Sequence, residues 1–142
     1  SYLQQIKDLN TKNTRRTVIS KNFVSSSHDV SDGGLAIALA ECCILSSKGA
    51  NLNLERNYTR KDSLFFSEGG SRIIFSLNKK YELEFLDFVD LNMKKFDQNV
   101  YVKKIGFVSK ENLNISIEDD EICNLRVEEL AKKFNNSISS CF

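Results

Sequence analysis

His28-Asp29-Val30-Ser31-Asp32-Gly33-Gly34-Leu35-Ala36-Ile37-Ala38-Leu39-Ala40-Glu41 runs from a polar, glycine-bearing turn directly into a helix-forming stretch that is apolar on nearly every side. A turn of this kind presents backbone N–H groups and carboxylates to a phosphate or a metal ion. A helix that is apolar all round must be covered on more than one face. The stretch therefore raises a question about a site and a question about assembly.

Reading outward, Phe23–Val30 is predicted as a strand, and Gly33–Ser47 as the apolar helix, stopped by Lys48-Gly49. Ala50–Glu55 alternates, with Leu52 and Leu54 on one side and Asn51 and Asn53 on the other, as a half-buried strand does. Arg56–Ser63 is polar and reads as a loop. Leu64-Phe65-Phe66 is an apolar anchor ahead of a second glycine turn, Ser67-Glu68-Gly69-Gly70-Ser71-Arg72, and Ile73–Leu77 is a short apolar strand.

Lys79–Lys95 is an amphipathic helix with Tyr81, Phe85, Phe88, Val89 and Met93 on one stripe. Val100–Val108 is a strand interrupted by Lys103-Lys104. Leu113, Ile115 and Ile117 alternate with polar residues, and the two strands are expected to form a hairpin about Ser109-Lys110-Glu111. Glu118–Glu121 is an acidic turn. Val127–Phe134 is a last helix with Leu130 and Phe134 facing inward. At the start, Leu3, Ile6 and Leu9, then Val18 and Ile19, give Tyr2–Lys21 a helical spacing, with a break at Asn10–Thr14.

The predicted order is a helix, β-α-β, then β-α-β-β-α. It assigns the chain to the α+β class: an α/β sandwich of a mixed sheet with packed helices, partly ferredoxin-like. Residues 1–142 are expected to form one domain. The start at Ser1 without a methionine, together with the apolar helix, leads us to expect a fragment of a longer multidomain chain.

The composition, 41% hydrophobic and 27% charged, is that of a soluble globular domain. A net charge of +1 gives no electrostatic case for nucleic acid or an anionic membrane surface. The apolar run Leu35–Leu45 is too short to span a bilayer, and the N-terminal segment does not read as a signal peptide. Cys42, Cys43, Cys123 and Cys141 form no C-x-x-C pair and accompany a single histidine, which argues against structural zinc. They read as buried, reduced thiols of a cytoplasmic protein.

In the first turn, Ser31 or Asp32 can cap the helix, and the glycines permit positive φ and close approach. A ligand reading places phosphate at Ser31, Asp32, Gly33 and Gly34. Because a carboxylate beside phosphate requires a divalent cation between them, Asp29 or Asp32 in that role implies Mg²⁺. A structural reading has Asp32 as the cap, the glycines forming the turn, and His28 and Asp29 bonded to nearby backbone. In the second turn, Glu68, Gly69, Gly70 and Arg72 are candidates for the same phosphate or nucleotide, although neither turn is a P-loop or a dinucleotide fingerprint. Its structural reading is an internal Glu68–Arg72 or Arg72–backbone contact.

The first turn and its helix, followed by Phe65-Phe66-Ser67-Glu68, Ser71-Arg72 and the closing Asn124-Leu125-Arg126-Val127-Glu128-Glu129-Leu130, resemble the C-terminal domain of the phosphoribosylformylglycinamidine synthase family, also called formylglycinamide ribonucleotide amidotransferase, synthetase subunit. This family is part of the aminoimidazole ribonucleotide synthetase-related superfamily, and the resemblance covers almost the whole chain. It implies a part in an ATP- and Mg²⁺-dependent carbon–nitrogen ligase of purine biosynthesis, which converts formylglycinamide ribonucleotide to its amidine with glutamine-derived ammonia. The implied partners are the remaining domains of a parent chain and a glutaminase domain or subunit. The resemblance matches Asp29 to a Mg²⁺-binding aspartate and Glu68 to the glutamate of a Glu-Ser-Gln substrate turn. Here Gly69-Gly70 replaces Ser-Gln, which suits an auxiliary or structural site. No residue of the chain is expected to be a principal catalytic group, and the isolated chain is expected to lack turnover. The alternatives are a non-catalytic packing module of that assembly, or the equivalent domain of a related kinase or synthetase.

Overall fold

The computed structural model describes residues 2–7, 16, 18–56, 60–68, 72–96 and 101–139. Seven strands form one mixed sheet: β1 (Tyr2–Lys7), β2 (Val24–Val30), β3 (Ala50–Leu54), β4 (Arg72–Leu77), β5 (Tyr101–Val108), β6 (Asn112–Ile117) and β7 (Asp120–Arg126). Their order across the sheet is β2-β4-β1-β5-β3-β6-β7. Residues 16 and 18–20 are helical, and the longer helices are α1 (Gly34–Ser46), α2 (Lys61–Phe66), α3 (Glu82–Phe96, entered through a 3₁₀ turn at Lys79–Tyr81) and α4 (Val127–Ser139).

The strands' alternation sorts the core onto two faces. On one face, Leu3, Leu52, Ile74, Ile105 and Ile115 pack with Leu35, Ala38, Leu39 and Cys43 of α1, Phe65 of α2 and Val127 of α4. On the other, Ile73, Phe75 and Leu77 pack with Phe85 and Val89 of α3 and with Val18. β4 is therefore buried on both faces, which accounts for an apolar run broken only by Ser76. Both outer strands carry a bulge, at Ser25 in β2 and at Ile122 in β7. A bulge twists an edge away from further pairing.

The α+β sandwich with a mixed sheet is the fold the sequence predicts, but the path of the chain differs in several places. Tyr2–Lys7 is a strand, not a helix, hydrogen-bonded between β4 and β5 in the middle of the sheet. Leu3 and Ile6 suit either state over so short a span, and pairing on both sides decides it. The expected break at Asn10–Thr14 lies outside the described residues. β5 and β6 form no hairpin, because β3 runs between them, antiparallel to β5 and parallel to β6. The wedge enters at Gly49, whose N–H donates to the Lys110 carbonyl and whose carbonyl accepts from the Ser109 N–H. A Cβ at Gly49 would lie 2.2 Å from the Asn112 carbonyl oxygen, so only glycine passes there.

β5 continues through Lys103 and Lys104, which pair with Glu55 (2.5 Å) and Glu82 (3.3 Å). Part of the loop expected at Arg56–Ser63 is the start of α2, and Asp120–Arg126 adds a strand the pattern did not suggest. In α4, Leu130 packs against the core while Phe134 is 42% exposed rather than facing inward. The stop of α1 is Ser47 in the left-handed region (φ 52°), not Gly49. The Ser47 N–H donates to the Ile44 carbonyl and the Lys48 N–H to the Cys43 carbonyl, closing a Schellman motif. The domain itself seals one long face of α1 and leaves Ile37 (40%) and Leu45 (81%) as its exposed apolar residues.

Candidate functional site

The two glycine turns meet at the N-terminus of α1. Gly33 is the N-cap, at φ 76°, and no side chain caps the helix; neither Ser31 nor Asp32 does so. The Ser31 carbonyl instead accepts from the Gly34 N–H (3.1 Å), and both Ser31 and Asp32 are exposed. The Gly33 N–H donates to Oε1 of Glu68 at 2.9 Å, across 35 residues of chain. A carboxylate thus sits where the partial positive charge of a helix N-terminus favours an anion. Gly34, at φ 73°, is wedged on the end of α2: a Cβ there would lie 2.6 Å from the Phe65 carbonyl oxygen.

Arg72 turns inward. Its Nη2 donates to the Ser67 carbonyl, and its Nε is buried with no hydrogen-bond partner among the described residues. Burial pushes the guanidinium below its ordinary pKa. This is the internal Arg72–backbone contact of the structural reading. Gly69 and Gly70 lie outside the described residues.

His28 and Asp29 are split by the strand. His28 stands opposite Ile74, on the α1 face, and Asp29 opposite Ile73, on the α3 face. Nδ1 of His28 lies 2.8 Å from the Asp29 carbonyl oxygen, and Nε2 lies 3.3 Å from Oε2 of Glu41. The Glu41 contact joins β2 to α1, and nothing in the local pattern announces it. The histidine is held at both nitrogens and has no nucleophile among these contacts.

Asp29 is an exposed carboxylate, a hard oxygen donor of the class Mg²⁺ takes. Among the described residues no three His, Cys, Asp or Glu side chains converge on a metal position. A cation held by one or two carboxylates together with phosphate oxygens is the usual mode for Mg²⁺. The free thiols are of a different kind: burial pushes both Cys42 and Cys43 up to about 11, so they are protonated at neutral pH.

With this geometry in hand, comparison with known proteins places the fold. The family described as AIR synthase related protein, C-terminal domain, matches residues 4–113. The chain belongs to that family. Among relatives of this AIR synthase related domain, it is 69% identical over 127 residues to phosphoribosylformylglycinamidine synthase subunit PurL of Prochlorococcus marinus strain MIT 9515, and 36% identical over 124 residues to the PurL subunit of strain MIT 9303. These matches take in 89% and 87% of this chain but only 16% of each relative, so the chain spans about a sixth of the length of the curated proteins it matches. Two solved structures, Thermotoga maritima PurL complexed with ATP and with formylglycinamide ribonucleotide (FGAR), superpose on 92% of the chain with TM-scores of 0.75 and 0.74. They are 14% and 13% identical and are covered to 25% and 27% of their own chains; they share the AIR synthase related fold. No helix among the described residues is long and apolar enough to cross a membrane.

Proposed function

We propose that this chain is the C-terminal domain, over residues 1–142, of a phosphoribosylformylglycinamidine synthase, and that the whole enzyme is a cytoplasmic, ATP-dependent, amidine-forming ligase. The observation that carries this reading is the 69% identity over 127 residues to a PurL subunit of which the match spans 16%. The remaining domains of the parent chain and a glutaminase domain or subunit are its partners. In that enzyme ATP with Mg²⁺ supplies the activation of the formyl amide oxygen, and ammonia from glutamine becomes the amidine nitrogen.

What this chain's residues do there is limited and specific. Asp29 offers one carboxylate toward the cation. Ser31, Asp32, Gly33, Gly34, Glu68 and Arg72 face the nucleotide, and Gly69 and Gly70, between Glu68 and Arg72 in sequence, are candidates for the same role. Within the turn pair, Glu68 ties the second turn to the first through the Gly33 N–H, and Arg72 braces the second turn through the Ser67 carbonyl. With one or two carboxylates and no nucleophile, the domain alone has no turnover. Glutamine- or ammonia-dependent phosphate release from ATP tests this: the 142-residue chain is expected to stay at blank, and Asp29→Ala in the whole enzyme to raise the Mg²⁺ requirement. Substrate-dependent release by the chain alone refutes the reading.

A second reading, a packing module of the same assembly, has its own support. The Gly33 N–H is already taken by Glu68, and Arg72 is already turned to the backbone. If Asp29→Ala in the whole enzyme leaves the Mg²⁺ and nucleotide dependence unchanged, the turn pair is structural.

A further inference from the structure

We propose that a cleft at the opposite end of α1 from the glycine turns is a binding site for a small amphipathic monoanion, an apolar body with one anionic head. The cleft holds about 410 Å³ between the second half of α1 and the sheet. That is in the lower part of the range of small-molecule sites, roughly 300–1,000 Å³. Its helix wall, from Leu39 to Ser46, lies about 7–18 Å along the helix from Gly34 at 1.5 Å per residue, and it shares no residue with the turn pair.

The walls select the body of the ligand. Leu39 and Cys42 come from the helix, and Leu3 and Ile74 from the sheet. The thiols of Cys42 and Cys43 are neutral at pH 7, so the helix wall brings no charge. Ser25, Ser27 and Ser46 also line the cleft, and on its floor Oγ of Ser26 and Oγ of Ser76 lie 2.5 Å apart. Two hydroxyls sharing one hydrogen bond keep a second proton for a ligand acceptor.

Charge selects the head. Among the described residues no carboxylate lines the cleft, whereas Lys48 does, and Lys48 makes no ion pair among them. His28 lines it too, but both its ring nitrogens are engaged by Asp29 and Glu41. The charged side chain that lines the cleft without an ion-pair partner among the described residues is therefore the Lys48 ammonium at its rim, with the His28–Glu41 contact to one side. A neutral ligand gains only the cleft; an anion gains both cleft and ammonium.

The test is a fluorescence titration of the 142-residue chain with two probes. 8-Anilinonaphthalene-1-sulfonate has apolar rings and one sulfonate; N-phenyl-1-naphthylamine has the rings alone. Both are expected to bind saturably at one site, the sulfonate more tightly. Lys48→Glu, at an exposed position, is expected to weaken the sulfonate probe by roughly tenfold and to leave the neutral probe unchanged. Ser26→Phe, at an exposed position of the outer strand, fills the floor and is expected to displace both, with circular dichroism confirming that each variant is folded. Absence of saturable binding overturns the proposal. So does equal loss of both probes in Lys48→Glu, or retention of both in folded Ser26→Phe.

Discussion

Adding one methyl group at Gly34 is expected to cost this chain a large part of its stability, and the reason is backbone rather than side chain. Gly34 sits at φ 73°, where an L-residue with a Cβ pays about 1–2 kcal/mol. The new Cβ would lie 2.6 Å from the Phe65 carbonyl oxygen and 2.8 Å from Cα and C of Phe66. These are main-chain atoms of α2 and its end, and they cannot rotate aside. Forcing an extra carbon into such a contact adds about 1–3 kcal/mol. The lower entropy of unfolded alanine returns about 0.4–1 kcal/mol. Gly34→Ala should therefore destabilise by about 2–4 kcal/mol, against a total of about 5–15 for a domain. Gly33→Ala is the control. Its φ is 76°, but its Cβ meets only the Ile37 side chain, at 2.5 Å from Cγ1, and Ile37 is 40% exposed and can yield. We expect Gly33→Ala to cost about 1 kcal/mol less than Gly34→Ala. Adding Ile37→Ala should rescue part of the Gly33 loss and none of the Gly34 loss. Urea unfolding followed by circular dichroism measures these four variants against the wild type and Ile37→Ala. A Gly34→Ala cost below about 1 kcal/mol, or equal rescue of both glycine variants by Ile37→Ala, would refute the reasoning.

Three further outcomes follow from particular residues. Ser47→Gly should stabilise by about 1 kcal/mol, because Ser47 holds the left-handed stop of α1 at φ 52°; the melting temperature should rise by about 3 °C. Glu118 and Asp119 form the β6–β7 turn with φ of 49° and 71°. Glu118→Asn suits that geometry and should stabilise by about 0.5–1 kcal/mol in urea, since the Arg56–Glu118 pair it removes is long (3.8 Å) and exposed and contributes little. With its thiol raised from 9.0 to about 11, Cys42 in the folded chain should react with iodoacetamide at pH 8 about a hundredfold more slowly than in urea. The rate should climb as pH rises toward 11, read by peptide mapping. By the same linkage, the stability this raised value contributes is complete below pH 9 and lost as pH rises through 11.

Much of the turn pair's chemistry is legible locally. The double glycine between a strand and an apolar run announces the tight turn, and both glycines do hold positive φ. The Glu68–Gly33 bond is not legible, because it spans 35 residues and depends on α2 delivering the second turn to the first. Asp29 and His28 look like one pair in sequence. The strand's alternation, with β4 buried on both faces, sends them to opposite sides of the sheet.

By itself, the sequence settled what depends on near neighbours. The apolar run of α1, the alternation of β3 and β6, the short apolar run of β4 and the stripe of α3 are all read from neighbours within a few residues. Only the tertiary structure decided that Tyr2–Lys7 is a central strand, that β3 separates β5 from β6, and that Ser47 rather than Gly49 stops α1. Those outcomes turn on pairing and close approach between segments far apart in the chain. Gly49 shows why: the tight spot that requires glycine is created by the Asn112 backbone, more than sixty residues downstream.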